Sequence, residues 1–193
     1  QPLPPYGACL LGSFNLTKYL IKDRDGVYSF AWAQFEADIP HVVRALDNVV
    51  DRAVYPLAQQ EKEAKSKRRM GIGITGLANT LEALGLPYGS QEALGWTEVL
   101  MVTLRNGAYQ ASIELAKEKG PFPLFDVKLL ESEFAKTLPE DIRHDIAVYG
   151  LRNSHLLSIA PTGSISIAAD NVSSGIEPVF SHSYDRRYTT FDG

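Results

Sequence analysis

The sequence predicts an α/β domain whose strands pair in parallel. Segments with apolar residues at helical spacing alternate with short apolar runs rich in β-favouring residues, the pattern of strand-helix-strand units. The chain has 193 residues, of which 45% are hydrophobic, so it can enclose one sizeable core or contribute a large piece of a bigger one. We find no internal repeat and no low-complexity segment, and we therefore expect one domain.

The first part of the chain predicts one strand and one long helix. The strand covers residues 8–21, which are rich in apolar and β-favouring residues, with an interruption at Gly12 and a turn at KDRDG. The helix covers residues 39–57, because apolar side chains recur there at helical spacing and Pro40 falls in a first turn that tolerates proline. Its apolar positions are Val42, Val43, Leu46, Val49, Val50, Val54 and Leu57.

The rest of the chain continues the alternation. Residues 70–85 predict a short buried strand that passes into a helix ending near Gly85. Ser90 precedes the longest helix, predicted over residues 91–118, which KEKGPFP ends with cations, a glycine and a proline. Two shorter helices are predicted in DVKLLESEFAKTL (126–138) and PEDIRHDIAVYG (139–150), and a strand in LLSIA (156–160).

Composition argues against two classes of protein. A net charge of −4 and a pI near 5.6 leave no basic surface that could hold duplex nucleic acid, and we interpret the basic run at residues 62–69 as a solvated helix end. No apolar stretch approaches the roughly 20 residues that cross a bilayer, and the N-terminus lacks signal-peptide features.

The single cysteine, Cys9, cannot form a disulfide within the chain, which suits a reducing compartment, so we expect a cytoplasmic protein. The chain begins without methionine, and we interpret it as a fragment.

GIGITG at residues 71–76 matches the glycine pattern of dinucleotide-binding loops but lacks their context. In such loops an apolar strand precedes the first glycine. Here AKSKRRM precedes it, so the strand runs through the glycines and close backbone packing in a sheet explains them better. A dehydrogenase is therefore disfavoured.

APTGSIS at residues 160–166 has the flanking segments that GIGITG lacks, since a predicted strand precedes it and a helix-compatible stretch follows. A helix that starts after a glycine turn presents unpaired backbone N–H groups and the positive end of its dipole, which suits a phosphate. Thr162, Ser164 and Ser166 can add hydroxyl donors. The lysine of a Walker loop is absent. Ordinary helix capping by Thr162 or Ser164 remains an alternative.

The other polar candidates are weaker. Cys9 is either a small buried apolar residue or a redox group, and the redox role needs a second thiol that this chain does not contain. Glu177 in SSGIEP is either an acid or base, or part of a rigid turn. The four histidines are scattered without metal-ligand spacing, so we predict no metal site; they are His41, His144, His155 and His182.

Four segments, taken together in their order along the chain, indicate a protein family more specifically than any single motif does. ACLLGSFNL, RRMGIGITGLANTLEALGLPYGS, LRNSHLLSIAPTGSIS and SSGIEPVF resemble the C-terminal part of the catalytic barrel of ribonucleotide reductases, particularly the adenosylcobalamin-dependent class. The resemblance extends from about Tyr6 to Tyr184. It implies that residues 1–193 are part of a ten-stranded α/β barrel, built from two half-barrels of parallel strands with helices outside.

The resemblance also implies roles for particular residues. Cys9 matches one of two barrel cysteines that reduce the ribose and become a disulfide, with the partner cysteine upstream of this sequence. The radical cysteine of an NPCGE-like motif would lie immediately before Gln1, so the chain alone is expected to be inactive. The substrate phosphates would be held by the loop of Pro161, Thr162, Gly163, Ser164, Ile165 and Ser166.

The mechanism that the resemblance implies starts from adenosylcobalamin, which generates a radical that passes to the upstream cysteine. The thiyl takes the 3′ hydrogen of a ribonucleoside di- or triphosphate, and the 2′ hydroxyl leaves as water. Cys9 should then face the barrel interior, where it and its partner supply the reducing equivalents. The expected partners are the remaining N-terminal part and a thioredoxin-type reductant. A fragment of a di-iron-dependent reductase and a non-catalytic phosphate-binding or nucleotide-binding module are the alternatives.

Overall fold

A computed structural model describes residues 3–183 and 185, so the far end of the family resemblance, at Tyr184, lies outside the described residues. The strands are β1 Leu10–Asn15, β2 Leu20–Lys22, β3 Tyr28–Phe30 and β4 Met70–Thr75. The α-helices are α1 Trp32–Arg52, α2 Ala58–Lys67, α3 Leu77–Ala83, α4 Gln91–Lys119, α5 Glu133–Lys136, α6 Glu140–Tyr149 and α7 Gly163–Ala168. Two 3-10 helices lie at Leu16–Tyr19 and Val127–Glu131.

The central feature is a parallel pair of strands. β1 and β4 run side by side in register from Leu10 opposite Met70 to Asn15 opposite Thr75, and α1 and α2 lie in the connection between them. A third segment, residues 156–158, joins the other edge of β4 through a parallel bridge at Leu157. β2 and β3 form a separate antiparallel pair. The predicted α/β class with parallel pairing is therefore confirmed.

The two faces of β4 differ in chemistry. Met70, Ile72 and Ile74 have no exposed surface and belong to the main hydrophobic core, together with residues of α1 and α4. Because side chains alternate along a strand, Gly71 and Gly73 lie on the opposite face. Other chain segments approach the backbone closely there, since glycine leaves room for them.

The first helix differs from its prediction at both ends. It begins at Trp32 rather than residue 39, because Phe35 and Ile39 continue its buried stripe toward the N-terminus, so Pro40 lies inside the helix. It ends at Arg52 rather than residue 57. The chain is extended at Ala53, and the proline at position 56 disfavours helical backbone in the residue before it.

Local polar side chains explain two further differences. The predicted strand at residues 8–21 is split, because the Asn15 side chain accepts a hydrogen bond from the Thr17 amide and starts a 3-10 helix. The predicted helix at residues 126–138 is a 3-10 helix followed by the four-residue α5. Ser132 separates the two by capping α5. The prediction for α4 is confirmed, with Ser90 as its side-chain cap.

Among the described residues, no helix combines the length and the apolar character that crossing a membrane would require.

Candidate functional site

The loop at residues 161–166 lies at the carboxyl end of β4. The hydroxyl oxygens of Thr162 and Thr75, the last residue of β4, are 3.1 Å apart. In parallel α/β folds, the loops that follow the carboxyl ends of the strands form the ligand site. The position of this loop therefore fits a binding role.

Thr162 holds the loop in an uncommon conformation. Its φ of 51° places a β-branched residue in the left-handed region, which costs free energy and requires compensating contacts. The compensation comes from its hydroxyl oxygen, which also accepts a hydrogen bond of 2.7 Å from the amide of Gly175. The loop is thereby joined both to β4 and to the SSG segment at residues 173–175.

A hydroxyl cluster connects the three segments. Its hydroxyls are those of Thr75, Thr162, Ser166 and Ser174, and Ser173 joins it through its backbone carbonyl. The Ser173 carbonyl accepts hydrogen bonds from the Thr75 hydroxyl at 2.9 Å and from the Gly76 amide at 2.7 Å. The Ser166 and Ser174 hydroxyl oxygens are 3.0 Å apart. The end of β4, the start of α7 and the SSG segment therefore form one hydrogen-bonded unit.

The first amides of α7 are available to a ligand. Within the described part of the chain, the N–H groups of Gly163, Ser164 and Ile165 have no acceptor. All three residues are exposed, and a Cβ added at Gly163 would have no heavy atom within 4 Å. Unpaired amides at a helix N-terminus can donate to an anion. Helix capping was the alternative explanation of this segment, and the Thr162 side chain makes no capping hydrogen bond to α7.

The three hydroxyl groups proposed as donors differ in their surroundings. Thr162 and Ser166 are buried, and both are used within the protein; Ser166 donates to the Gly163 carbonyl at 3.0 Å. Ser164 is exposed and has no side-chain partner among the described residues. A ligand at this loop would therefore meet backbone amides and the Ser164 hydroxyl, while Thr162 and Ser166 shape the loop.

Cys9 lies on the same face of the sheet as the loop. Its sulfur is 3.6 Å from the position that a Cβ at Gly71 would take, on the face opposite the core side chains Met70 and Ile72. Thr75 shares that face by alternation. Four residue steps along β4, about 13 Å, separate it from Gly71. The structure thus brings the sulfur and the loop together on one side of the β1–β4 pair.

The chemistry of Cys9 follows from its half-buried position. Burial raises the pKa of the Cys9 thiol, and the positive charge of Arg69 partly offsets that effect. The group is therefore a thiol rather than a thiolate near neutral pH. A protonated thiol can give up a hydrogen atom or form a disulfide with a second cysteine.

The glycines of GIGITG are part of β4 itself. A Cβ at Gly73 would lie 2.3 Å from the carbonyl oxygen of Ser158, which no side chain can tolerate. Gly76 ends the strand with a φ of 76°. The interpretation as closely packed sheet backbone is confirmed.

Sequence reasoning missed the residues that support the loop. Asn15, at the end of β1, donates from Nδ2 to the Ala169 carbonyl at 3.3 Å, and Lys18 pairs with Asp170 just after α7. Thr75 was missed as well. The signal that could have found Asn15 and Thr75 is that both are polar residues ending parallel strands.

Among the remaining candidates, Glu177 comes two residues after the SSG segment. Glu177 is exposed, and its amide donates to the Ser174 carbonyl at 2.9 Å, which fits the interpretation as a turn. Within residues 3–183 and 185, no three His, Cys, Asp or Glu side chains group in a way that could hold a metal ion.

Comparison with known proteins identifies the family. The family model described as "Ribonucleotide reductase, barrel domain" matches residues 1–192. This chain belongs to that family. Within it, the chain is 38% identical over 185 residues to a vitamin B12-dependent ribonucleoside-diphosphate reductase of Mycobacterium tuberculosis (strain CDC 1551 / Oshkosh), covering 96% of this chain and 24% of the relative. A protein of the same name from Thermoplasma acidophilum is 36% identical over 190 residues, covering 96% and 22%.

The similarity extends to other reductases. A ribonucleoside-diphosphate reductase large subunit of Variola virus is 32% identical over 190 residues, covering 93% of this chain and 24% of the relative. The chain thus spans about a quarter of the length of the curated relatives it matches. The predicted membership in the ribonucleotide reductase family is confirmed.

Proposed function

We propose that this chain forms part of the catalytic barrel of an adenosylcobalamin-dependent ribonucleotide reductase, which converts ribonucleoside di- or triphosphates to 2′-deoxyribonucleotides by thiyl-radical chemistry. The observation that carries the proposal is the placement of Cys9 and the 161–166 loop on one face of the β1–β4 pair. The family match supports assigning redox chemistry to Cys9 and phosphate binding to the loop. The B12-dependent relatives, at 36–38% identity, support the choice of class.

The loop binds the substrate phosphates in this proposal. Its residues are Pro161, Thr162, Gly163, Ser164, Ile165 and Ser166. The free amides of Gly163, Ser164 and Ile165 donate to phosphate oxygens, and the hydroxyl cluster keeps those amides in place. Because the cluster already satisfies its own polar groups, it fixes the loop before a ligand arrives, and less ordering entropy opposes binding.

Cys9 supplies reducing equivalents to the ribose. Its thiol faces the same side of the sheet as the loop, so a nucleotide whose phosphates lie at α7 can extend its sugar along β4 toward the sulfur. Cys9 then forms a disulfide with a cysteine from the remaining part of the enzyme. A thioredoxin-type dithiol restores both thiols.

Adenosylcobalamin, when bound, supplies the radical that starts the reaction. The described residues contain no group of His, Cys, Asp or Glu side chains suited to a metal ion. The corrin ring of the cofactor already holds its cobalt without such a group, so we assign the cofactor contacts to no particular residue of this chain.

The test is an anaerobic assay of the natural full-length polypeptide that contains this sequence. Ribonucleoside di- and triphosphates are incubated with a dithiol reductant, with and without adenosylcobalamin, and 2′-deoxyribonucleotides are quantified. We expect product only with adenosylcobalamin. Ser164→Pro removes one first-turn amide at a position where a helix tolerates proline, so we expect it to raise KM about tenfold, with a smaller effect from the control Ser164→Ala.

The similarity to reductases named as large subunits favours a second candidate, part of a di-iron-dependent reductase. Product that forms without adenosylcobalamin but requires a separate radical-generating subunit would support that candidate. Ribonucleotide binding without conversion, by a folded protein under either condition, would contradict both and indicate a non-catalytic binding module.

A further inference from the structure

Arg69 and Cys9 occupy equivalent places on two neighbouring parallel strands. The register of β1 and β4 starts at Leu10 opposite Met70. Cys9 and Arg69 each come one residue before that pair. Since Met70 points into the core, strand alternation places Arg69 and Gly71 on the other face, where the Cys9 sulfur lies 3.6 Å from the Cβ position of Gly71. The cation and the sulfur therefore share one end of one face.

The Arg69 side chain is held in place by α2. Its Nη1 lies 3.0 Å from Oε1 of Glu63, and the two side chains are only 9% and 17% exposed. Lys67 pairs with the same carboxylate oxygen, so the three side chains carry a net charge of +1. A cation that is nearly buried is screened little by salt, so its charge acts strongly on its neighbours.

The groups around this position respond to that charge. Burial raises the pKa of the Cys9 thiol, while Arg69 opposes the increase. On the other side of β4, His155 accepts the Met70 amide through its backbone carbonyl. Burial and the charges of Arg69 and Lys67 lower the pKa of His155, so its imidazole is neutral at pH 7. Arg69 therefore lowers the pKa of the Cys9 thiol from the value that burial alone would give, although burial has the larger effect.

We propose that Arg69 is a positioning residue for the redox cycle, stabilising Cys9 as a thiolate when its disulfide is reduced. The inference rests on the proposed function and deepens it. Cys9 is kept as a thiol for the reaction with the ribose, because burial outweighs Arg69. Without Arg69, however, the same burial would make Cys9 a poor leaving group in disulfide exchange.

The step that benefits is the attack of an external dithiol. One thiolate of the reductant attacks the partner cysteine's sulfur; the disulfide bond breaks, and its electron pair leaves on the sulfur of Cys9. The second thiolate of the reductant then attacks its own mixed disulfide and releases the partner cysteine. Two electrons move from the dithiol to the disulfide, and its two protons end on the two cysteines. Exchange is faster when the leaving thiol has a lower pKa.

The test measures the pH profile of Cys9 alkylation by iodoacetamide in the natural full-length polypeptide, with Cys9 followed by mass spectrometry of its peptide. Arg69→Gln removes the charge but can still bond Glu63, and Arg69→Met is a second neutral variant. Arg69→Lys keeps the charge. Lys65→Gln is the matched control, because Lys65 lies on the same helix but pairs with Glu61 at the exposed surface rather than with Glu63.

We expect the neutral variants to move the Cys9 profile to higher pH and to slow alkylation at pH 8 by about threefold or more, since one pKa unit corresponds to a tenfold change in thiolate. Arg69→Lys and Lys65→Gln should match the wild type. Unchanged profiles in the neutral variants, with thermal melts that show folded protein, would overturn the inference. That result would not contradict the proposed function, because ribonucleotide reduction is assayed separately.

Discussion

The hydroxyl of Thr162 lies 3.1 Å from the hydroxyl of Thr75 and 2.7 Å from the amide nitrogen of Gly175. These two contacts join the candidate phosphate loop to β4 and to the segment that follows α7. They also offset the cost of the left-handed backbone at Thr162. One buried oxygen atom therefore makes two of the contacts that hold the loop in place.

Thr162→Val tests this dependence, because valine has the same shape but no hydroxyl. The change leaves the buried Gly175 amide without its acceptor, so we expect the free energy of unfolding to fall by about 1 to 3 kcal/mol. KM for the ribonucleotide should rise as the loop loses its position. Urea unfolding and steady-state kinetics measure the two effects.

Thr162→Ser is the matched control for this substitution. It keeps the oxygen and should remain close to the wild type in both measurements. Equal losses in the serine and valine variants would show that the hydroxyl does not hold the loop.

Gly73→Ala is expected to disrupt the contact between β4 and the 156–158 segment. A Cβ at this position would lie 2.3 Å from the Ser158 carbonyl oxygen, so the backbone must move. We expect a loss of about 1 to 3 kcal/mol in the free energy of unfolding. Gly95→Ala is the control, since this exposed residue of α4 has open space around it and alanine should stabilise the helix by about 0.5 to 1 kcal/mol. A neutral Gly73→Ala would contradict the close packing.

Asp47 is a fully buried carboxylate that accepts hydrogen bonds from three side chains. They are Arg68 at 2.8 Å, Asn153 at 2.9 Å and Arg152 at 3.2 Å. Asp47→Asn removes the buried carboxylate charge that Arg68 and Arg152 share, while Asp51 still pairs with Arg68, so we expect a loss of about 3 kcal/mol in the free energy of unfolding.

The control for Asp47 is an exposed ion pair. Glu61 pairs with Lys65 on the surface of α2, and Glu61→Gln should cost less than about 0.5 kcal/mol. Similar small losses in both variants, measured by chemical denaturation, would mean that the buried cluster contributes little to stability.

The raised pKa of Tyr109 predicts that the protein loses stability at alkaline pH. Burial raises the pKa of Tyr109 to about 12, against an ordinary value of 10. Below pH 10 both folded and unfolded chains keep the proton, and the stability is fully present. Between pH 10 and 12 the unfolded chain ionises first, so stability falls by about 2 to 3 kcal/mol.

Tyr109→Phe isolates this contribution, because the ring remains and the ionisable group does not. Urea unfolding at pH 8 and pH 11 should show a smaller loss for the variant than for the wild type. The same loss in both proteins would assign the alkaline effect to other tyrosines.

The elements predicted most accurately from the sequence are those whose ends are set by residues close together in the chain. The α4 helix was recoverable because Ser90 caps its start and Gly120 follows its end. The strand through GIGITG was recoverable because AKSKRRM cannot form a preceding strand. The start of α1 was missed because the prediction placed it at residue 39, although Phe35 belongs to the same buried stripe.

The arrangement of the candidate site could not be predicted from local pattern. Thr75 and Thr162 are 87 positions apart, and their contact depends on how β4 and the 156–158 segment pair. The same holds for Cys9 and Arg69, whose proximity follows from the register of β1 with β4. The loop was found from sequence because an apolar segment, a glycine turn and a helix follow each other directly, although of the strand predicted at residues 156–160 only Leu157 forms a β-bridge. The residues that fix its shape are distant in the chain.

The most direct test of the central claim is the turnover of Cys9→Ser in the natural full-length polypeptide. With adenosylcobalamin, ribonucleotide and a dithiol reductant, we expect multiple turnover to be lost while ribonucleotide affinity is retained, because serine fits the site but cannot form the disulfide. Turnover equal to that of the wild type would contradict the role of Cys9, and with it the assignment of this face of the sheet to nucleotide reduction.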